Sequence, residues 1–451
     1  MKPGIAQSPF APSPAPIDRL IEPFTRFMHV QAAGGIVLLL ATITAIVFAN
    51  SPWSDAYLKF WKTPMGLTIG GFEMNYYLQH WINDGLMVLF FFVVGLEVKR
   101  ELVLGELRDI RRAALPIAAA LGGMIVPAGI YLALQFGKAG ERGWGIPMAT
   151  DIAFVVGCMT LLGSRFPHGL RIMLLSLAIA DDIGAIVVIA VGYTAGLDWW
   201  ALAGAGIGLI CVHVLARLGV RSFLAYLILG LLVWFGFHES GIHATVAGVI
   251  LGLMTPARNH VTPATLQNVL NHASDILTMG DFDPHTHRLD PIRQVRRASR
   301  EIVSPLVYLE HTLNPWVAFL ILPLFALANA GVRVQPSDLV SPVAIAVLLG
   351  LLIGKPVGIL LASWLAVRLR IASLPEGVNW VMLAGGGLLC GIGFTMALFV
   401  AGLALKGPIL DQAKIGVLAG SVASAVLGMT MLSILMRTAP PKPLSAGEKP
   451  H

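Results

Sequence analysis

Long apolar stretches recur along the whole chain, and the short polar segments between them hold most of the charged residues. A helix needs about 20 apolar residues to cross the hydrocarbon core of a bilayer. Measured against that length, the pattern predicts an all-α polytopic membrane protein with about twelve transmembrane helices. The predicted spans are residues 32–50, 79–98, 113–136, 144–163, 170–193, 199–216, 222–237, 241–256, 305–332, 341–367, 379–404 and 413–436.

The distribution of basic residues tests this count. With the N-terminus placed in the cytoplasm, 23 of the 31 Lys and Arg residues fall in segments assigned to the cytoplasm and seven in segments assigned to the outside. The remaining one, Lys355, lies within the tenth span. Because cytoplasmic loops carry an excess of Lys and Arg, this alternation indicates an even number of spans with both termini in the cytoplasm.

The composition narrows the class of protein. Of the 451 residues, 56% are hydrophobic and 12% are charged, whereas a soluble domain has about 25% charged residues. An ordinary soluble enzyme, a disordered protein and a nucleic-acid binder are therefore excluded. The net charge of +6 is attributed to Lys and Arg residues that set the orientation of the helices in the membrane. The three cysteines are far apart and form no CxxC pair, so neither a disulfide framework nor a zinc site is expected. No cofactor is expected either.

The predicted twelve-helix domain covers residues 32–438. Four segments of the chain are not predicted to be transmembrane helices. Residues 1–31 are rich in proline and are predicted to be a tail with an interfacial segment, and a second tail covers 439–451. Residues 257–304 hold six arginines and are predicted to be a cytoplasmic loop without a core of its own. Residues 65–74 resemble two short strands around a Gly-Gly turn. Because an isolated hairpin is marginal in water, it either pairs with a second copy of the chain or is a plain loop.

Two adjacent aspartates, Asp181 and Asp182, lie about twelve residues into the fifth span. A rise of about 1.5 Å per residue places them near the middle of the bilayer, where a charged group costs about 2.5–3.5 kcal/mol. Neighbouring side chains on a helix point about 100° apart, so the two can line different sides of a funnel. Two close carboxylates hinder each other's ionisation, and such a pair can exchange a proton for a metal cation. A structural pair neutralised by a basic residue is the alternative.

The fourth and eleventh spans are predicted to be discontinuous helices. Pro147 removes a backbone donor, Thr150 can bond carbonyl groups freed by a break, and Asp151 would offset the positive N-terminal ends of half-helices. A proline kink with a capping aspartate is the alternative. Five glycines between residues 385 and 393 hold a straight helix poorly, although close helix packing could also explain them.

The two interruptions fall in the middle members of two triplets, spans 3–5 and spans 10–12, which run in opposite senses. This arrangement indicates an inverted-repeat transporter with its site at the repeat interface. It divides the domain into core spans, 113–193 and 341–436, and interface spans, 32–98 and 199–332. The same symmetry sets the aspartate pair beside Lys355, which needs a carboxylate partner at that depth. A purely structural lysine would have the same neighbours.

Four titratable residues lie at one level at the cytoplasmic ends of the second and ninth spans. Imidazole changes charge near neutral pH, so this cluster could respond to pH, and an interfacial salt-bridge network is the alternative. Asp84 and His243, near the outer ends of the second and eighth spans, are more simply explained as structural residues. The four members of the cytoplasmic cluster are Glu97, Glu101, Glu310 and His311.

Seven motifs in chain order resemble those of the NhaA-type sodium/proton antiporters of bacterial inner membranes. The resemblance runs from about residue 20 to residue 437. The motifs are GLEVKRE at 95–101, ATDIAF at 149–154, DDIGA at 181–185, GIHAT at 241–245, PLFALANAG at 323–331, GKP at 354–356 and CGIGFTM at 390–396.

The resemblance implies a twelve-helix fold in which discontinuous helices 4 and 11 cross, and a homodimer joined partly by the 65–74 hairpin. It implies that Asp182 is the main ligand of the transported Na+ or Li+, with Asp181 beside it and paired to Lys355. Two residues match the helix-crossing positions of the family, namely Thr150 and Asp151. Positions tied to pH response in the family are matched by Glu97, Glu101, His243, Glu310 and His311.

These observations predict a secondary active antiporter that exports Na+ or Li+ in exchange for H+, and that is electrogenic, pH-regulated and located in the bacterial inner (plasma) membrane. A sodium-coupled solute symporter of similar fold is the alternative, although no surplus of intramembrane polar residues supports an organic substrate. An intramembrane aspartyl protease needs two facing aspartates on separate helices. Asp151 and Asp182 lack the YD and GxGD contexts of such enzymes, so no enzymatic activity is expected.

Overall fold

The computed structural model describes residues 33–69, 72–194, 196–218, 220, 223–257 and 304–438, and most of them are helical. A 3-10 helix, Glu141–Met148, precedes α5. The α-helices are α1 (Ala33–Ala49), α2 (Ser54–Trp61), α3 (Leu78–Leu104), α4 (Ile110–Gln135), α5 (Ile152–Leu162), α6 (His168–Gly192), α7 (Trp199–Arg217), α8 (Phe223–Ser240), α9 (Thr245–Met254), α10 (Pro305–Asn329), α11 (Pro336–Leu339), α12 (Pro342–Arg368), α13 (Trp380–Cys390), α14 (Phe394–Ala404) and α15 (Pro408–Thr438).

The lengths and compositions of these helices confirm an all-α polytopic membrane protein. Among the described residues, eight helical segments are long and apolar enough to cross a membrane, and the count is ten if the bent pairs α1–α2 and α13–α14 are each one span. Helices α8 and α9 are apolar but shorter, so the count of twelve spans stays a prediction. Large apolar side chains cover the outer surface, as at Trp200, Ile210 and Val191, which suits a lipid environment.

Both predicted interruptions are present. The fourth span changes from a 3-10 helix to extended backbone at Ala149 and Asp151 before α5 begins. The eleventh span is bent by 49° between α13 and α14. The sequence therefore located the two discontinuous helices correctly, whereas the crossing of the two helices stays a prediction.

Helices α3, α10 and α12 each contain a π-helical turn, which the apolar pattern did not predict. The turns cover Trp81–Leu86, Val317–Ile321 and Gly350–Gly354. In α10 and α12 the turn ends two residues before a proline, Pro323 or Pro356. Proline has no N–H to donate back along the helix, and the locally wider turn accommodates that missing bond.

Several pairs of helices in the described part of the chain, α4–α12 and α3–α9 among them, approach each other at the level of the backbone. In the first pair, α4 meets α12 at Gly122 and Gly358, where a Cβ on either glycine would collide with the carbonyl oxygen of the other. In the second pair, α3 meets α9, and a Cβ on Gly95 would lie 2.6 Å from the oxygen of Val249. Small residues permit this close contact between membrane helices.

The hairpin after α2 is confirmed. Strand β1 (Pro64–Ile69) pairs antiparallel with β2 (Phe72–Tyr77), with Pro64 opposite Tyr77 and Ile69 opposite Phe72. A two-stranded sheet has two open edges, so the pairing with a second chain stays a prediction. The predicted tails, 1–31 and 439–451, lie outside the described residues, as does the loop 257–304 apart from its two end residues.

Candidate functional site

The two interrupted spans meet at their interruptions. The Asp151 backbone N–H donates to the Ile392 carbonyl at 2.7 Å, and the Thr150 hydroxyl donates to the Cys390 carbonyl at 2.9 Å. Both carbonyls belong to the end of α13 and the bend that follows it, where the helix no longer supplies donors. The predicted role of Thr150, binding carbonyls freed by a break, is thus seen, but the carbonyls belong to the opposite span.

The Asp151 carboxylate binds the N-termini of two half-helices at once. Its Oδ1 accepts from Phe154 N–H of α5 at 3.2 Å. Its Oδ2 accepts from the Thr395 N–H of α14 at 3.0 Å and from the Thr395 hydroxyl at 2.5 Å. A buried negative charge between two positive helix ends is favourable, as the sequence predicted. Thr395 was missed as a partner because its distance of 244 residues along the chain leaves no local signal.

Lys355 is fully buried and forms an ion pair with Asp181, with the Lys355 Nζ 2.5 Å from the Asp181 Oδ2. The same ammonium donates to the Met148 carbonyl. Met148 ends the 3-10 helix before the first interruption, so its carbonyl also has no intrahelical donor. The predicted pairing of the aspartates with Lys355 is therefore confirmed for Asp181, and the lysine also contacts the broken span.

Asp182 points elsewhere, as the 100° angle between neighbouring helix positions predicts. It lines a cavity of about 1570 Å³ that does not include Asp181 or Lys355 among its lining residues. We call this cavity the funnel. Only 4% of the Asp182 surface is exposed, and within the described part of the chain no side chain donates a hydrogen bond to its carboxylate. Thr150, Asp151 and Thr395 line the same cavity.

The lining of the funnel includes all four members of the cytoplasmic cluster. Glu310 forms an ion pair with Arg100, and Glu101 accepts hydrogen bonds from the Glu106 N–H at 3.0 Å and the Ser176 hydroxyl at 3.4 Å. Ser176 lies on α6, the helix that carries Asp182. The structure therefore joins Glu97, Glu101, Glu310 and His311 to Asp182 through one cavity.

His243 lies apart from the other residues that the resemblance ties to pH response. It does not line the funnel, and its Nε2 is 3.7 Å from Asp84 Oδ1. Two further histidines, His80 and His238, face the same aspartate. The sequence interpretation treated Asp84 and His243 as separate structural residues, because the spacing of 159 positions between them does not reveal their contact.

The chain is similar in sequence to known proteins over most of its length. The family model described as Na+/H+ antiporter 1 matches residues 25–432. The chain is 56% identical over 417 residues to the Na(+)/H(+) antiporter NhaA of Rhodopirellula baltica, covering 92% of this chain and 95% of that protein. It is 51% identical over 420 residues to the Na(+)/H(+) antiporter NhaA of Rhizobium meliloti, covering 93% and 96% of the two chains.

Proposed function

The chain belongs to the Na+/H+ antiporter 1 family, and from that premise we propose that it exports Na+ or Li+ in exchange for H+, with Asp182 as the exchanging group. The observation that carries the assignment of Asp182 is that it lines the funnel, whereas its neighbour Asp181 is paired with the buried Lys355. One carboxylate faces the aqueous cavity while its neighbour is engaged by a buried cation. Asp182 is thus the aspartate that an entering ion meets.

A sodium or lithium ion is a hard cation that prefers oxygen ligands. The charged ligands are the carboxylate oxygens of Asp182. Asp181 adds its carboxylate oxygens once it is released from Lys355. Hydroxyl and carbonyl oxygens at the interruptions can complete the coordination, since Thr150 lines the funnel together with Asp182. Protonation of the aspartates releases the cation, and binding of the cation releases protons.

Alternating access requires that the site open first to one side and then to the other. The lining of the funnel also includes Arg108, Arg111, Arg112 and Arg171, which the excess of basic residues assigns to the cytoplasm. The described conformation is then open to the cytoplasm. Motion of the inverted repeats around the two interruptions would expose Asp182 to the outside.

The test of this function is proton movement in everted membrane vesicles that hold an established pH gradient. Addition of Na+ or Li+ should collapse part of the gradient, and K+ should not. The symporter alternative predicts that cation addition alone moves no protons and that a solute is required. A gradient that stays unchanged on addition of either Na+ or Li+ at every pH would rule out exchange.

The cytoplasmic cluster is proposed to set the pH dependence without binding the transported cation. Removing the negative charge of Glu101 by Glu101→Gln lets neighbouring groups lose protons at lower pH. We expect the midpoint of the activity–pH profile to move to lower pH by about one unit, a change of about 1.4 kcal/mol in proton affinity, with maximal exchange still measurable.

Glu106→Gln is the matched control for this prediction. Glu106 also lines the funnel and pairs with Arg112 at 3.4 Å, but it lies in the turn after α3. Its replacement should leave the midpoint in place. If Glu101→Gln instead eliminates exchange at all pH values, Glu101 belongs to the ion path and the proposed separation of roles is wrong.

The assembly is proposed to be a homodimer in the bacterial inner membrane, with both termini in the cytoplasm. The support is the hairpin β1–β2, whose two strands pair only with each other in the described chain and which is too small to be stable alone. Deleting residues 65–74 should lower the molar mass of the detergent-solubilised protein from two chains to one, as measured by light scattering. An unchanged mass would place the dimer contact elsewhere.

A further inference from the structure

The second half of the eleventh span, α14, begins in the protein interior without a cap of its own. Its N-cap residue is Gly393, which has no side chain that could accept a hydrogen bond. The first N–H groups of a helix have no partner within the helix. Two of these groups belong to Phe394 and Thr395, which are 4% and 1% exposed. Because the groups are buried, they need acceptors from elsewhere in the protein.

The acceptors come from two other spans. The Thr395 N–H donates to Asp151 of the fourth span, as described above, and the Phe394 N–H donates to the Ser421 Oγ at 3.1 Å. Ser421 lies on α15, 27 positions further along the chain than Phe394, and only 5% of its surface is exposed. The start of α14 is therefore tied to both the fourth and the twelfth span.

We infer that Ser421 is a positioning residue, which holds the start of α14 so that Thr395 and Asp151 keep their places at the proposed cation site. Ser421 does not line the funnel, so it acts on the site only through another residue. Thr395 and Asp151 line the funnel together with Asp182. The bond from the Phe394 N–H fixes the backbone immediately before Thr395, and Thr395 in turn donates twice to the Asp151 carboxylate.

The ring of Phe394 extends the same linkage to the other interrupted span. It packs edge to face against the ring of Phe154 on α5, with the ring centroids 5.0 Å apart. The Phe154 N–H donates to the second carboxylate oxygen of Asp151. A displacement of Phe394 would therefore disturb the contacts of Asp151 with both half-helices, and the Ser421 hydroxyl is the group that opposes this displacement.

Ser421→Ala would leave the Phe394 N–H buried without an acceptor, which is unfavourable. The start of α14 should then shift, and the oxygen of Thr395 should move relative to Asp182. Of the two candidate ions Li+ is the smaller, and a smaller hard cation tolerates less variation in the positions of its oxygen ligands. We therefore expect the Ser421 hydroxyl to matter more for Li+ than for Na+. This consequence rests on the proposed function, whereas the anchoring of α14 does not.

The anchoring is tested by hydrogen–deuterium exchange of the purified full-length protein, followed by mass spectrometry. In Ser421→Ala, the amides of Phe394 and Thr395 should exchange about tenfold faster, the scale that the cost of an unpaired buried N–H implies. Amides of α7, which lies outside the interrupted spans, should exchange at an unchanged rate.

The matched control is Ser424→Ala. Ser424 lies three residues further along α15 and is 0% exposed, so this substitution removes the same group from an equally buried position. The Ser424 hydroxyl has no hydrogen-bond partner within the part of the chain that the structure describes. Its removal should therefore leave the exchange of the Phe394 and Thr395 amides as it was.

The effect on the site is tested by ion exchange in proteoliposomes at varied Na+ and Li+ concentrations. In Ser421→Ala, the apparent KM should rise about fivefold for Na+ and about tenfold for Li+. The maximal rate should change little, because a loss of binding that is shared by the bound and the transition state raises KM alone. Ser424→Ala should keep both KM values. Ser421→Cys, whose sulfur is a weaker acceptor, should give smaller changes in the same direction, and it is the variant to use if Ser421→Ala does not fold.

Three results would overturn the role of Ser421. One is unchanged amide exchange at the start of α14 in Ser421→Ala, and another is an equal acceleration in Ser424→Ala. The third is accelerated amide exchange with both KM values unchanged, which would separate the anchor from the cation site. If the unmodified protein exchanges neither Na+ nor Li+ for protons, the proposed function fails, while the deuterium measurements still decide whether Ser421 holds α14.

Discussion

Asp182→Asn should eliminate Na+-driven proton movement while the protein still inserts and folds. The amide has nearly the same shape as the carboxyl group, but it can neither release a proton nor carry the charge that a cation needs. Asp181 cannot take over, because it is held by Lys355 and lies outside the funnel. Loss of a charged partner costs about 2–5 kcal/mol, so exchange should fall by about 30-fold or more, measured in everted vesicles with Na+ and with Li+.

The matched control is Asp198→Asn. Asp198 is an exposed residue that caps α7 through the N–H groups of Trp200 and Ala201, and asparagine is an equally good cap. Exchange should therefore be kept in this variant. Exchange at the unmodified rate in correctly inserted Asp182→Asn protein would refute the assignment of the site.

Lys355→Met should have the largest effect on stability. The lysine and Asp181 are buried as an ion pair, with 0% and 1% of their side chains exposed. Removing one partner leaves a buried charge without compensation, which costs about 3–5 kcal/mol. We expect a corresponding loss in the free energy of unfolding in detergent or lipid. Asp181→Asn in the same chain should recover most of it, and failure of the double variant to recover stability would show that the pair is not the cause.

The same lysine is expected to make transport electrogenic. One Na+ exchanged for one H+ moves no net charge. If binding of Na+ at Asp182 also frees Asp181 from Lys355, the ammonium loses its favourable partner and can release a second proton. One net charge then moves per cycle, and the membrane potential contributes about 2.3 kcal/mol per 100 mV.

Exchange in proteoliposomes clamped with K+ and valinomycin should therefore depend steeply on voltage, and less so in an active Lys355 variant. Voltage-independent exchange in the unmodified protein would refute the electrogenic cycle. An active Lys355 variant that keeps the full dependence would refute only the role given to the lysine.

The features that the sequence predicted correctly are those with a local cause. Pro147 and the glycines between 385 and 393 locate the two interruptions, because each disturbs the helix at its own position. The pairing of Lys355 with an aspartate followed from depth alone, since a buried ammonium needs a carboxylate. Depth left open which aspartate it was, because that depends on the rotation of α6 about its axis, and only the family resemblance implied Asp181.

Contacts between distant segments were missed for the opposite reason. The Thr395 hydroxyl and the Met148 carbonyl gain their roles only when the two interruptions meet. The contacts of His80, His238 and His243 with Asp84 likewise join distant segments, and the position of each histidine in the sequence says nothing about the other two. The π-helical turns were not predicted either, because the spacing of apolar residues does not distinguish a helical turn that is wider by one residue.

The glycine contacts have a mechanical consequence. Where α4 meets α12 at Gly122 and Gly358, and where α3 meets α9 at Gly95, no layer of side chains separates the backbones. Side chains can change rotamers to let helices slide, but two touching backbones cannot. Each pair of helices is therefore a rigid unit. One unit carries Lys355, and the other carries Glu97 and Glu101. A rearrangement that changes the shape of the funnel must therefore keep each helix pair intact. The two pairs can shift relative to each other only where side chains, and not backbones, make the contact.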